Sequence, residues 1–251
     1  LDCSEKEEIK TLRISIIVPF ICFILVQSNL NAQVQLSAYS DIGHSNISEG
    51  VYLKTSADIS YKFRRFALQT GFHNDLISNN TTLFSGYKLN VSHFFKFKQK
   101  DYSAKLFFIS TTLSDFVRET NYGLILSTEN EHFSFKIGTG FKNIGFTKNA
   151  IAETGINANE SVQEIFNPLY HFSYTLNKPA KAWNVGIGVT NFDQYIVNQA
   201  TNPMTTVFGH YKLNESVRLT AEIWYKTAGA FNLHVNYFGL FFRPGIIWEL
   251  K

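Results

Sequence analysis

From Gln33 to the end of the chain, hydrophobic and polar residues alternate with a period of two over long stretches. In "HFSFKIGTGFKNIGF", His132 to Phe146, the residues Phe133, Phe135, Ile137 and Phe141 fall on one side. His132, Ser134, Lys136, Gly138, Gly140 and Lys142 fall on the other. Successive side chains leave a β-strand on opposite faces, so this pattern predicts a strand with one apolar and one polar face. The same holds for Val217, Leu219, Ala221, Ile223 and Tyr225 against Arg218, Thr220, Glu222, Trp224 and Lys226. It holds again for Tyr87, Leu89, Val91, Phe95 and Phe97 against Lys88, Asn90, Ser92 and Lys96. The polar faces carry small residues, hydroxyls, amides and scattered lysines.

No helical periodicity, linker or low-complexity block interrupts this region. Strands are predicted over 34–44, 51–63, 66–74, 83–97, 104–113, 121–128, 132–146, 168–177, 183–192, 204–213 and 217–227, with a last one from residue 231 or later to 250. That makes about twelve, with ten to fourteen admissible. In the last segment the apolar residues change phase, from odd positions through Tyr237 to even positions from Leu240, as a turn or one inserted residue would cause. The even-numbered connections are short, among them Arg64-Arg65 and "NES" at 214–216, while the odd-numbered ones include the longest, about 147–167 and 193–203. Short and long connections therefore gather at opposite ends.

Ahead of the strands, Lys10 and Arg13 precede the apolar run "ISIIVPFICFILV" and the polar "QSNLNAQ". That order predicts a secretory signal peptide over residues 1–32, cleaved between Ala32 and Gln33, with one domain from 33 to 251. The run is shorter than the roughly 20 residues a membrane-spanning helix needs, and it contains Pro19. The acidic "LDCSEKEE" and the missing initiator Met point to a start site placed too far upstream, or to a fragment. Cleavage removes Cys3 and Cys22, and with them any disulfide or thiolate chemistry. It also removes Lys6, Lys10, Arg13, Asp2, Glu5, Glu7 and Glu8, leaving 20 basic and 16 acidic side chains. That balance is too mild to argue for nucleic acid.

Alternation alone does not say which face meets water, since a soluble β-sandwich also alternates, with its oily face inward; that sandwich is the alternative fold. About twelve strands of ~9 to 11 residues or more suit a membrane barrel wide enough for a hydrated interior. Short turns at one rim and longer loops at the other suit it too. The predicted fold class is thus all-β: a transmembrane, antiparallel, up-and-down β-barrel. Phe63, Phe66, Phe95, Phe97, Tyr170, Trp183, Tyr211 and Trp248, near strand ends, would form interfacial girdles.

The "NAQ" cleavage region, the alternating strands and the ending "RPGIIWELK" resemble outer-membrane β-barrel proteins of Gram-negative bacteria, especially the Bacteroidota type. Gly245, Ile246, Trp248 and Leu250 are similar to the C-terminal signal read by the barrel assembly machinery, although Lys251 stands last where an aromatic is usual. The resemblance implies export, insertion by that machinery, and contact with outer-membrane lipid and lipopolysaccharide. It names an architecture and no activity.

No nucleotide loop, metal cluster or cofactor motif is recognisable, and no cofactor is expected. Lys88, Lys105, Lys136, Arg218 and Glu222 are candidate lumen-lining residues. With Lys96 and Lys142, the lysines would favour anions in an open channel; the alternative is that those two, near strand ends, are solvated rim residues. His132-Phe133-Ser134 and His171-Phe172-Ser173 are similar to the His-x-Ser pair of lipid A deacylases, where imidazole activates a hydroxyl. Both lie on polar faces here, which favours a hydrophilic lining over catalysis. The insertion from Thr147 to Phe166 is the leading candidate for a recognition loop or a constriction. A passive channel for small solutes is the expected function, with a surface-interaction barrel or a lipid-modifying hydrolase as alternatives.

Overall fold

The computed structural model describes residues 33–44, 51–76, 86–112, 116–147, 150–152, 161–177, 182–226 and 239–250. The predicted leader, most of the 147–160 connection and the phase change before Gly239 lie outside them. The strands are β1 (Gln33–His44), β2 (Val51–Phe63), β3 (Phe66–Asp75), β4 (Gly86–Phe97), β5 (Lys100–Thr112) and β6 (Val117–Glu129). They continue as β7 (Phe133–Phe146), β8 (Ser161–Thr175), β9 (Trp183–Thr190), β10 (Met204–Lys212), β11 (Val217–Lys226) and β12 (Gly239–Leu250). Each pairs antiparallel with its sequence neighbours, and β1 pairs with β12, closing a twelve-stranded barrel with no free edge.

The period-two pattern has its oily face outward. Phe133, Phe135, Ile137 and Phe141 on β7 are exposed, Ile137 at 65%, as are Leu89 and Val91 on β4 and Leu219, Ile223 and Tyr225 on β11. Their polar neighbours are covered inside: Lys88, Asn90, Asn121, Lys142, Thr220 and Arg243 are all buried. A closed ring that is apolar outside and polar inside inverts a soluble sandwich and is the arrangement of a lipid-embedded barrel. Phe66, Phe97, Trp183, Tyr211 and Trp248 project outward near the short-turn end, where an aromatic girdle belongs.

The short connections do fall at one rim. Phe63 pairs with Phe66 and Phe97 with Lys100, so Arg64-Arg65 and Lys98-Gln99 are two-residue turns. Arg64, Lys98 and Gln99 adopt positive φ there, the backbone that tight hairpins need, although none is the Gly or Asn that usually advertises it.

β5 and β6 each begin four residues ahead of the predicted limits, at Lys100 and Val117, and two further strands depart from theirs. β8 begins at Ser161, ahead of Pro168, and β9 stops at Thr190, before Phe192. These changes are linked. Thr190 pairs with His171, so above that level β8 has no β9 beside it. Residues 168 and 170 direct their backbone groups into this notch, and a proline there forfeits no ladder bond. Asn191 fills the space: its side chain accepts from Tyr170 N at 2.9 Å and donates to Pro168 O at 2.8 Å.

Candidate functional site: a hairpin folded into the lumen

Beyond Thr190 the chain turns into the barrel. Phe192 bridges Val197, Asp193 N donates to Ile196 O at 2.7 Å, and Asn198 N donates to Asn191 O at 2.7 Å. Residues 191–198 are therefore a short hairpin, with Asp193, Gln194, Tyr195 and Ile196 at its tip. Thr190, Asn191 and Asn198 at its base are fully buried.

Its sides are greasy, and both walls answer them. Phe192, Tyr195 and Val197 pack with Phe107 and Ile109 of β5, Ile125 of β6 and Leu169 of β8. Ile196 packs with Met204, Trp224 and Phe241 from β10, β11 and β12. The hairpin thus spans the interior from wall to wall, filling width that twelve strands leave vacant. The polar lumen expected from the sequence also carries apolar ground: the inward faces of β5 and β6 are apolar where the hairpin leans. The signal lay in Leu106-Phe107-Phe108-Ile109 and Leu124-Ile125-Leu126, where alternation lapses because both faces are covered.

The tip is polar and meets buried charge. The Tyr195 hydroxyl donates to Asp58 Oδ1 at 2.6 Å, Lys88 Nζ donates to Asp58 Oδ2 and to Gln194 Oε1, each at 2.8 Å, and Lys88 lies over the Tyr195 ring. Gly71, paired with Asp58, makes room: a Cβ there would overlap Asp58 Oδ1 and sit 2.6 Å from the Tyr195 hydroxyl. On the other side Arg243 Nη2 donates to Asp193 Oδ2 at 2.7 Å and Asp41 Oδ2 at 3.0 Å, with Glu222 Oε2 3.5 Å from Nη1. Trp224 Nε1 donates to Glu222 at 2.7 Å and its ring stacks on Phe241. Burial works against ionisation of Asp193, but the Arg243 guanidinium outweighs it and holds that carboxyl below its ordinary range. Burial, then Asp58, push the Tyr195 phenol well above its own.

Arg243 sits at an interruption of the closing seam. The β1–β12 ladder pairs Tyr39 with Gly245 and Ile42 with Phe242 but skips the positions between, where Pro244 has no N–H to give. The Asp41–Arg243 ion pair occupies this gap.

The candidate lumen residues are thereby placed. Lys88, 1% exposed, is neutralised by Asp58 and is no free cation. Lys142, which the sequence left as either a channel lining or a solvated rim residue, is buried, paired to Glu119 at 3.4 Å and donating to Val197 O. Lys105 and Lys136 face a cavity of about 200 Å³ under the hairpin, together with Lys88, Asn90, His171 and Glu222. A wider chamber of about 360 Å³ shares Lys136, His171, Glu222 and Trp224 with it and extends to the short turn at Asn130 and Glu131. Arg218 lies outside that chamber, beside the 214–216 turn, paired to Glu249 at 2.9 Å, and Lys96 is an exposed rim residue beside Asp101. Ile246, Trp248 and Leu250 face outward, Gly245 lies under the Tyr39 ring, and Gln33 opens β1.

The His-x-Ser pairs differ. His132 Nδ1 contacts Thr175 O at 2.9 Å and Ser134 donates to Glu129, so these two do not engage each other. His171 Nε2 lies 3.2 Å from Ser173 Oγ, inside the lumen, and among the described residues no carboxylate is hydrogen-bonded to His171 to orient it. Among the described residues no group of three or more His, Cys, Asp or Glu could hold a metal ion.

No protein-family model matches the chain, and no curated protein sequence does. Solved structures do. A KdgM porin in complex with disordered oligogalacturonate superposes with a TM-score of 0.53 at 11% identity, covering 86% of this chain and 99% of that one. The NanC porin superposes at 0.52 and 9% identity, covering 86% and 100%. At such identities the likeness shows a shared fold, that of outer-membrane β-barrels.

Proposed function

We propose that the protein is a passive outer-membrane channel for small solutes, narrowed from within by the 191–198 hairpin. The observation that carries this is the cavity lined by Lys105, Lys136 and His171, which adjoins, across Lys136, His171, Glu222 and Trp224, a chamber reaching the short-turn rim. A barrel serving only as a membrane anchor has no need of such an interior. The fold shared with two porins supports the same reading, and the lipid-facing belt supports residence in the outer membrane, reached by export and the assembly machinery. Because the hairpin touches both walls, conduction depends on its displacement or on narrow gaps beside it. A small, intermittent conductance is expected rather than that of a wide pore.

The test is to refold the chain in detergent, insert it into a planar bilayer and record current under a salt gradient. Discrete steps that enlarge when Asp193, Gln194, Tyr195 and Ile196 are replaced by a two-glycine turn are expected. Silence from both forms would refute the channel and favour a barrel acting through its outer loops.

A further inference from the structure

Among the described residues, Lys105 and Lys136 have no counter-ion of their own. Within their cavity, Lys88 is bound to Asp58 and Gln194, Asp193 is bound to Arg243, and Glu222 is held by Arg243 and Trp224. No ion pair or hydrogen bond joins Lys105 or Lys136 to another described residue. The register brings them together: Lys105 pairs with Ile125, Ile125 with Gly138, and Lys136, two residues from Gly138, pairs with His171. Both ammonium groups line the same cavity of about 200 Å³, so two like charges share one confined space. Like charges held in a lumen that is partly apolar are unfavourable unless an anion joins them.

We propose that Lys105 and Lys136 form an oxyanion-binding site beneath the hairpin, which takes the carboxylate or phosphate group of a small solute entering from the short-turn rim. One oxygen of the anion would accept from each lysine in charge-assisted hydrogen bonds. The Asn90 amide and the His171 ring lie at the edge of the same space, and Phe107 and Phe192 offer the solute an apolar wall. As the solute class of the channel, this rests on the function proposed above; as a binding site it is tested apart from conduction. The competing account is that the lysines only offset the latch, where Asp41, Asp58, Asp193 and Glu222 outnumber Lys88 and Arg243. In that case a solute anion would be unwelcome.

Trp224 provides the readout, because it lines the cavity whereas Trp183 and Trp248 face lipid. The chain refolded in detergent is titrated with acetate, inorganic phosphate or chloride at constant ionic strength while tryptophan emission is followed. A saturable change with acetate, phosphate or both, and none with chloride, is expected; which probe saturates identifies the group recognised. Affinity should fall at least about tenfold in the Lys105→Gln, Lys136→Gln double variant and survive in the Lys105→Arg, Lys136→Arg form. If the double variant does not fold, Lys105→Gln alone carries the comparison. No saturable change in the parent protein, or equal affinity in the folded glutamine variant, overturns the site. Binding without conductance would remove the channel and leave the site, and conductance without binding the reverse.

Discussion

Arg243 of β12 and Asp193 at the tip of the lumen hairpin meet at 2.7 Å, and the same guanidinium holds Asp41 of β1 across the closing seam. One side chain therefore secures both the wall and its internal obstruction. Replacing it with methionine would strand three carboxylates, those of Asp41, Asp193 and Glu222. Removing one partner of a buried ion pair typically costs about 3–5 kcal/mol. Arg243→Met should lower the denaturant midpoint of the detergent-refolded barrel and lengthen channel openings. An unchanged midpoint with unchanged current would show that the hairpin does not depend on this contact.

Gly71 tests the opposite side of the tip. Gly71→Ala places a methyl group where Asp58 and Tyr195 now meet, so the Tyr195 hydroxyl should be displaced and its hydrogen bond lost. An unsatisfied buried acceptor costs about 1–3 kcal/mol. The expected result is lower stability together with faster amide exchange at Tyr195 and Ile196; exchange confined to β3 would place the disturbance in the wall alone.

The outward face offers a direct check on the solvent. Ile137 is largely exposed near the middle of β7. A lysine there costs about 2–4 kcal/mol if the surface lies at the bilayer midplane, and close to nothing if it meets water. Ile137→Lys should fold poorly into vesicles, whereas Lys96→Ile at the rim should fold as well as the parent.

Asn191 substitutes for a missing strand. Asn191→Ala removes the acceptor for Tyr170 N and the donor to Pro168 O. The Tyr170 amide should lose protection by at least about tenfold, with β8 below His171, where β9 is present, little changed.

Sequence reasoning recovered the wall well because period-two alternation is local: each strand carries its own evidence of an oily and a wet side. It recovered the boundaries of β2 and the β7 face, and it separated the short-turn rim from the other. It offered the 147–166 insertion, half of which lies outside the described residues, as a recognition loop or a constriction, and it did not single out the 191–198 hairpin found inside. The omission has a physical origin. "NFDQYIVN" alternates only briefly and is as polar as an ordinary loop. Its partners, Asp58, Lys88, Lys142 and Arg243, lie 45 or more positions away, each on a strand where it looks like another lumen residue. Neutralisation of Lys88 by Asp58 is likewise a matter of which strands become neighbours after closure. Lys105 and Lys136 were legible as inward-facing lysines, but the lack of a carboxylate for either emerges only in three dimensions.

The gap at Arg243 and Asp41 also sets an order of events. Asp41 lies on the first strand and Arg243 on the last, so the pair forms only when the two ends of the sheet join. Before that moment Asp193 has no completed cradle to enter. The hairpin can lock only after the cylinder is finished, and its latching serves as a molecular record that the final seam has closed.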